Sequence, residues 1–207
     1  MAQLKTHILY PVYHSNDRTV FHIDWMDTLT NWRLVDFRAK TTGADATLQF
    51  LPGMNAIIKN MHLYAGNTPL DSLRDAHKWL AFTALRRSNQ QNAWKDHALS
   101  GTRYGFKLSY LNADNISELI QIHTGHDWVE ADRTSTNKSA WLSLRDVFGL
   151  FRSVPILPRM NNLKLVIEWM PYNKALFRGT GLGVTGMTVK EPQLIMDEVV
   201  NAKLQRG

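Results

Sequence analysis

The chain contains no cysteine among its 207 residues. This absence excludes disulfide bonds, metal sites built on thiolates and thiol nucleophiles. The sequence also lacks an apolar run near the ~18 residues that a membrane helix needs. Met1–Tyr10 has neither the basic segment nor the apolar segment of a secretory signal. We therefore expect no membrane span and no secretion signal.

Long basic runs are also missing, although the chain carries 24 Lys and Arg residues, a formal net charge of +6 and a pI near 9.6. These cations are spread along the sequence, which has no run of four or more Lys or Arg. A dedicated nucleic-acid-binding arm is therefore not expected, and the charge predicts only non-specific contact with nucleic acid.

The overall composition is that of a globular protein, with 44% hydrophobic and 20% charged residues. The length fits one large domain or two small domains. No internal repeat and no linker rich in Gly, Ser or Pro divides the chain. We expect a single domain over residues 1–207, with flexible terminal arms.

Alternation of apolar and polar residues with a period of two is the main pattern in the sequence. In Leu163–Trp169 every second residue is apolar, which predicts a half-buried strand. The same reasoning predicts further strands at Thr6–Tyr13, Thr19–Trp25, Leu34–Phe37, Ala46–Leu51, Ala56–Tyr64, Tyr104–Tyr110, Ile116–Ile122, Gly183–Val189 and Gln193–Val200. About eight to ten strands in a chain of this length predict an all-β sandwich or barrel.

Two segments depart from this alternation. Thr68-Pro69 followed by an acidic residue resembles the start of a helix, and the spacing of apolar residues after it predicts an amphipathic helix over Pro69–Arg87. Ser139–Phe151 predicts a short apolar helix or an irregular turn, which Pro155 and Pro158 would end. Both segments are expected to connect strands of an antiparallel framework.

A search for catalytic and metal-binding patterns gives weak candidates only. His123, His126 and Asp127 lie close in sequence, but their spacing and Gly125 favour a polar turn over a metal site. No Gly-x-Ser-x-Gly motif is present for a nucleophilic serine. No pair of acidic residues is singled out for glycoside hydrolysis, and the glycines of 179–186 favour a hairpin over a phosphate-binding loop. We predict no enzyme activity, no cofactor and no metal.

Aromatic and arginine residues supply the candidates for ligand or partner contact. Trp94, Trp128 and Trp141 occur among polar residues, so they are the tryptophans most suited to a surface contact. Arg86 and Arg87 end the predicted helix, where they would stabilise its C-terminus or meet an acidic partner. The remaining alternation places Trp25, Tyr104, Tyr110 and Trp169 in the core.

The order of features in the second half of the chain resembles the jelly-roll capsid proteins of icosahedral DNA viruses, the lineage with adenovirus-like and tailless-phage members. The segments that carry this resemblance are Ile116–Ile122, Trp141–Phe148, Val154–Pro158, Asn162–Trp169 and Val189–Val199, with Gly53–Gly66 in the first half. The resemblance implies an antiparallel β-sandwich of the jelly-roll type, with one or two short helices in its connections. The best-known members carry two jelly rolls in one chain, whereas this length allows one.

This resemblance implies a viral structural protein that assembles with copies of itself, and with other capsid proteins, into an icosahedral shell. The chain would be made in the host cell, in the cytoplasm or the nucleus, and reside in the virion. The alternative is a β-sandwich binding module for carbohydrate or another ligand, with Trp94, Trp128 or Trp141 as a stacking surface. A sugar-processing enzyme on the same fold is a third and weaker hypothesis.

Overall fold

The computed structural model describes residues 3–23, 29–42, 46–48, 53–86, 128–129, 140–154, 156–157, 162–177 and 185–200. Fourteen strands lie in these ranges: β1 (Gln3–Leu9), β2 (Tyr13–His14), β3 (Arg18–Ile23), β4 (Leu29–Phe37), β5 (Ala39–Thr42), β6 (Ala46–Leu48), β7 (Ile58–Ala65), β8 (Thr68–Leu73), β9 (Trp128–Val129), β10 (Ala140–Ser143), β11 (Leu163–Trp169), β12 (Leu176–Phe177), β13 (Gly186–Val189) and β14 (Gln193–Val200). The helices are a 3-10 helix (Gly53–Ile57), α1 (Ala76–Arg86), α2 (Leu144–Val147), α3 (Gly149–Ser153) and α4 (Tyr172–Ala175).

Two antiparallel sheets form the body of the molecule. The first sheet has the order β1-β14-β4-β10, and the second has the order β2-β3-β11-β7-β8. When β2 is set aside and the eight remaining strands are renumbered along the chain, the orders become 1-8-3-6 and 2-7-4-5. Pairing of the first strand with the last, and of the second with the seventh, is the arrangement of a jelly roll, which contains two Greek keys.

The hydrophobic core lies between these two sheets. In β11 the burial of Leu163, Leu165, Ile167 and Trp169 confirms the predicted strand and its inward face. The largest fully buried side chains include Phe21, Phe37, Phe148, Ile23, Leu34, Met61 and Leu63. They come from both sheets, except for Phe148, which lies between α2 and α3. The two sheets therefore share one core, as in other β-sandwiches.

Strand β4 contains two residues with a positive φ, Asn31 at 52° and Asp36 at 56°. Irregularities in the pairing of β4 with β14 and with β10 fall at these two places. Asn and Asp tolerate the left-handed region better than other residues with a Cβ atom, because their short polar side chains bond locally. The two bulges keep Trp32, Leu34 and Phe37 directed into the core.

Two smaller sheets extend the framework. β13 pairs with β5 and continues the pairing of β14 with β4, with a hydrogen bond of 2.9 Å from the Lys190 backbone N–H to the Arg38 carbonyl between them. The third sheet has the order β12-β6-β9. Asp36 forms ion pairs with Arg38 at 2.7 Å and with Lys190. Side chains therefore also hold the junction of β4 and β5 to the residue that follows β13.

The predicted helix over Pro69–Arg87 is wrong in its first part. Thr68–Leu73 forms the edge strand β8, and α1 begins only at Ala76. Pro69 is exposed at a sheet edge, where a proline is tolerated. Asp75 lies directly before the helix, and its carbonyl accepts hydrogen bonds from the backbone N–H groups of Lys78 and Trp79.

Two other predicted segments have a different secondary structure in their first part. Ser139–Phe151 divides into strand β10 and the short helices α2 and α3, and Ala56–Tyr64 begins with the 3-10 helix. The strands predicted at Tyr104–Tyr110 and Ile116–Ile122 lie outside the described residues. None of the helices in the described ranges is long and apolar enough to cross a membrane.

Candidate functional site

The side chains that were predicted as contact residues lie in different parts of the chain. Trp141 is half-buried in β10, and Arg86 is exposed at the last residue of α1. Trp128 belongs to β9, whose side chains are outside the described set, and Trp94 and Arg87 also lie outside it. The side chains of Trp141 and Arg86 are thus the two that the structure describes. A role in contacts stays a prediction for all five residues.

Trp141 points away from the core, on the outer face of the first sheet. Directly opposed residues of antiparallel strands share a face, and the pairing register joins Trp141 with Val35, and Ser143 with Arg33. The same register places Leu4, Thr6 and Ile8 of β1 opposite Val199, Asp197 and Ile195 of β14. The register of β14 with β4 adds Thr30, opposite Asp197, and Gln193, opposite Val35. We call the set of outward side chains the apolar face: Leu4, Thr6, Ile8, Thr30, Arg33, Val35, Trp141, Ser143, Gln193, Ile195, Asp197 and Val199.

Asp197 forms a polar centre within the apolar face. Its carboxylate accepts hydrogen bonds from Thr6 Oγ1 at 2.8 Å and from Asn31 Nδ2 at 3.0 Å. Arg33 Nη2 lies 3.3 Å from the second carboxylate oxygen. Although it stands on an outer sheet face, the Asp197 residue is only 7% exposed, because these neighbours cover it.

The electrostatics of this centre favour the ionised carboxylate. Burial raises the pKa of Asp197, but the hydrogen bonds from Thr6 and Asn31 and the charge of Arg33 outweigh burial and hold the pKa below its ordinary value of 3.8. The Arg33 guanidinium also lies 6.0 Å from the centroid of the Trp141 ring, a cation–π contact. The carboxylate of Asp197 therefore has its hydrogen-bond and ion-pair partners among its immediate neighbours.

The outer face of the second sheet has a different chemistry. By the pairing register the charged face, as we call it, presents Tyr13, Arg18, Val20, His22, Asn60, His62, Tyr64, Ser72, Lys164, Val166 and Glu168, and the Lys59 ammonium reaches Glu168 on it. Val20 and Val166 lie at its centre and are buried. Glu168 accepts a hydrogen bond from Asn60 Nδ2 at 2.7 Å, while Lys59 and His62 lie 4.0 Å from its carboxylate oxygens. The side chains of Glu168 and Lys59 are 36% and 50% exposed, so water screens these pairs.

The N-terminal segment joins the edges of the two faces. β1 is the edge strand of the first sheet, and β2 is the edge strand of the second. Five of the seven exposed large hydrophobic side chains in the described ranges lie between residues 4 and 13. They are Leu4, Ile8, Tyr10, Val12 and Tyr13. Exposed apolar side chains are therefore concentrated along the edge that joins the two sheets: Leu4 and Ile8 lie on the outer face of the first sheet, and Tyr13 lies on the outer face of the second.

A buried hydrogen-bonded chain anchors this segment to the core. The Trp169 indole N–H donates to Thr19 Oγ1 at 2.8 Å, and Thr19 Oγ1 lies 2.8 Å from His14 Nδ1. His14 Nε2 lies 2.9 Å from the Val189 carbonyl oxygen. The segment that carries the exposed side chains is thus fixed on β3, β11 and β13 and has a defined position.

The opposite side of the sandwich is held by helices. The Trp79 indole N–H donates to the Asp146 carbonyl at 3.3 Å, and the Arg152 guanidinium lies 5.7 Å from the Trp79 ring. Asp71 accepts a hydrogen bond from the Leu150 backbone N–H at 2.9 Å, which joins the edge strand β8 to α3. Phe82 of α1 is 56% exposed on this side.

Metal-binding geometry is not found in the part of the chain that is described, where no group of three or more His, Asp or Glu side chains is arranged to hold a metal ion. His123, His126 and Asp127, the residues considered for a metal, are outside that part. The described side chains instead offer two outer sheet faces of contrasting polarity.

The residues of the apolar face other than Trp141 were not predicted as contact residues. Alternation in β1 separates Leu4, Thr6 and Ile8 from the inward Leu9, so the pattern contained a signal for the outward set. The position of Asp197 beside Thr6 depends on pairing across 191 residues of sequence. No local pattern contains that information.

Comparison with known proteins identifies the class of fold. No protein-family model and no curated protein matches the sequence. The structure has the jelly-roll fold of viral major capsid proteins. It is similar to VP54 of PBCV-1, in a crystal structure fitted into a cryo-EM reconstruction of the virophage Sputnik, with a TM-score of 0.61 and 12% identity over 99% of this chain and 44% of that chain.

A second solved structure supports the same fold. The quasi-atomic model of the PBCV-1 virus capsid matches with a TM-score of 0.56 and 11% identity, over 100% of this chain and 44% of that chain. The chain therefore spans less than half of the length of the two proteins that it resembles. At identities this low, the likeness establishes the fold.

Proposed function

We propose that this chain is a structural subunit of a viral capsid, that it resides in the virion, and that it has no catalytic activity. The observation that carries the proposal is the likeness to a viral major capsid protein over 99% of the chain, with a TM-score of 0.61. The strand order, in which β1 pairs with β14 and β3 with β11, supports it independently of sequence identity.

The covered lengths are consistent with one jelly-roll domain in residues 1–207. This chain matches 44% of the VP54 chain, so that protein carries more than half of its length beyond the shared fold. We propose that residues 1–207 form one jelly-roll domain. We propose that this domain assembles with copies of the chain, and with other capsid proteins, in an icosahedral arrangement.

The physical properties of the fold suit this role. Two sheets around one apolar core make a stiff body, while the connections between strands are free to vary and to contact neighbours. Subunits of a closed shell must bury surface against each other, and the apolar face together with the N-terminal segment offers such surface.

Detection of the chain in particles tests the proposal. The protein would be expressed with the other structural proteins of the same virus, and particles would be purified on a density gradient and examined by electron microscopy. We expect the chain to co-sediment with shells in a fixed ratio to the other subunits. Its absence from purified particles would contradict the capsid function.

Carbohydrate binding is the alternative function. Of its three proposed stacking residues, Trp141 is the one with a described side chain, and the guanidinium of Arg33 already lies over its ring. This contact reduces the ring area available to a sugar. Saturable binding on a glycan array that is abolished by Trp141→Ala or Trp128→Ala would favour the alternative over the capsid role.

Contact with nucleic acid stays a prediction from the net charge of +6. Phosphate contacts release counterions, so their affinity falls steeply as the salt concentration rises. Retention on immobilised DNA at low salt that is lost near physiological salt would indicate non-specific contact. Retention that persists at high salt would instead indicate a dedicated binding site.

A further inference from the structure

We propose that His14 closes a pH-sensitive clasp between the two sheets, and that the clasp opens when His14 takes up a proton. His14 belongs to β2 of the second sheet, and Val189 belongs to β13, which extends the first sheet. His14 Nε2 lies 2.9 Å from the Val189 carbonyl oxygen, and Asn16 Oδ1 accepts a hydrogen bond from the Val189 backbone N–H at 3.1 Å. The segment after β2 therefore holds both backbone groups of one residue across the gap between the sheets.

The neighbours of His14 determine where its ring proton lies. The Trp169 indole N–H donates to Thr19 Oγ1 at 2.8 Å. Among the described residues the Thr19 hydroxyl has one further partner, His14 Nδ1 at 2.8 Å, so its own hydrogen bonds to that nitrogen. A carbonyl oxygen can only accept, so His14 Nε2 carries the proton that bonds to Val189. The clasp therefore fits the neutral ring with its proton on Nε2.

A second proton on the ring breaks this order of donors and acceptors. An imidazolium donates from both nitrogens, so Nδ1–H would point at a hydroxyl oxygen that already accepts from Trp169. The hydroxyl hydrogen of Thr19 would then have to turn away from the ring. Thr19 is 0% exposed, so bulk water does not reach that hydrogen. A buried donor without a partner is costly, and the closed clasp therefore opposes protonation of His14.

Nearby charges do not offset this cost. Within the described ranges no ion pair includes His14. The charged groups on the surrounding elements are Asp17, Arg18, Asp36, Arg38, Glu168 and Lys190. Arg18 and Glu168 lie opposite each other on the charged face, outside the sandwich. The other two cations both pair with Asp36, and Asp17 is exposed. The directions of the hydrogen bonds therefore decide how the clasp responds to pH.

Proton linkage gives the direction of the effect. The open form binds a proton on His14 that the closed form disfavours, so a fall in pH favours the open form. Histidine titrates near pH ~6.5, so the clasp should be closed at about pH 7.5 and weakened at about pH 5.5. Opening would release the segment with the exposed side chains of Tyr10, Val12 and Tyr13. This inference does not depend on the proposed capsid function.

Hydrogen exchange at the two pH values, corrected for the intrinsic pH dependence of amide exchange, tests the opening. The reporters are the Val189 N–H, which bonds to Asn16, and the Val12 N–H, which bonds to the Val20 carbonyl at 2.9 Å. We expect the protection of both amides to fall on the order of tenfold at the lower pH. The amides of β11, which pairs with strands on both sides, should keep their protection.

Two matched variants assign the effect to His14. His14→Gln keeps one donor and one acceptor in a side chain that does not titrate, so its protection should be the same at both pH values. The control is His22→Gln, because His22 is exposed on the charged face and should not contribute to the clasp. This control should lose protection as the wild type does. Circular dichroism would establish that both variants are folded.

The tautomer of His14 gives a second readout, which does not depend on opening. The nitrogen NMR signals of the imidazole in the wild type should show the proton on Nε2 at about pH 7.5. A proton on Nδ1, or an average of the two tautomers, would overturn the clasp even if His14→Gln failed to fold.

The exchange results can also refute the inference. Protection that falls equally in the wild type and in His14→Gln would show that another group responds to pH. Protection that does not change in the wild type would show that the clasp stays closed. Neither result bears on the capsid function, which the purification of particles tests separately.

Discussion

The outer faces of the two sheets enclose the same core but present different surfaces. On the charged face, cations and acids are spread out and half in water, with Lys59 and Glu168 50% and 36% exposed. On the apolar face, one acid, Asp197, is 7% exposed and bonded on several sides, with aliphatic side chains around it. The acid of the charged face is therefore stabilised largely by water, and the acid of the apolar face is stabilised by neighbouring side chains.

The strongest test of this comparison removes the acid at the centre of each face. Asp197→Ala leaves the donors of Thr6, Asn31 and Arg33 without their shared acceptor, so we expect a loss of about 3 kcal/mol in the free energy of unfolding. Glu168→Ala removes an exposed, screened acid, and we expect a loss of about 1 kcal/mol or less. Urea unfolding of both variants measures the two values.

Equal losses in the two variants would contradict the view that the two faces differ in electrostatic organisation. A far-ultraviolet circular dichroism spectrum is the control, because both variants must keep the β-sheet content of the wild type. A change in the urea dependence of either variant would show that its unfolded or folded state had also altered.

A smaller effect is expected from the bulge that supports the polar centre. Asn31 has a φ of 52° and donates to Asp197 at 3.0 Å. Asn31→Val loses this bond and places a β-branched residue in the left-handed region, so we expect a loss of about 2 kcal/mol. Asn31→Gly loses the bond but accepts the backbone conformation, and about 1 kcal/mol is expected.

Thermal unfolding of the two Asn31 variants separates backbone conformation from hydrogen bonding. If Asn31→Gly proves as unstable as Asn31→Val, the strained backbone contributes nothing, and the side-chain bond alone explains the loss. If neither variant differs from the wild type, Asn31 does not support the polar centre.

The smallest effect concerns acid pH. The pKa of Asp197 is held below 3.8, because its hydrogen bonds and Arg33 outweigh burial. Between the lowered pKa and 3.8 the unfolded chain binds more protons than the folded chain. The stabilisation is therefore complete above 3.8 and is lost as the pH falls through the folded-state pKa. We expect Asp197→Asn to lose less stability on acidification than the wild type.

Part of the acid dependence should remain in that variant. Burial raises the pKa of Asp36, but the hydrogen bonds from Lys190 and Arg38 and their charges outweigh burial and lower it. The double variant Asp36→Asn/Asp197→Asn should therefore be less sensitive to acid than either single variant. Unfolding measured between pH 5 and pH 2 would show this order, and identical curves for all four proteins would exclude both acids as the cause.

Local patterns predicted the strands better than the segments between them. Leu163–Trp169 and Gln193–Val200 were predicted at their true ends, because one face of each strand is buried and the alternation is strong. The helix over Pro69–Arg87 was wrong at its start, because Thr68-Pro69 satisfies the rule for a helix start and also suits an edge strand. Only the pairing of β8 with β7 distinguishes the two.

The candidate surface was predicted only in part. Trp141 was selected because it stands among polar residues, and its outward position on β10 agrees with that selection. Its role in contacts stays a prediction. Leu4, Ile8 and Asp197 were not selected, because an exposed strand face and a core strand face look alike when the partner strands are unknown.

By itself, the sequence determined that the chain is built from half-buried strands around an apolar core, because the period of two is a local property of each segment. It also excluded thiol chemistry, since no cysteine is present. The tertiary structure decided which strands are neighbours, and so placed Thr6 beside Asp197 and Arg33 beside Trp141. Strand pairing joins residues far apart in the chain, so only the fold separates the apolar face from the charged face.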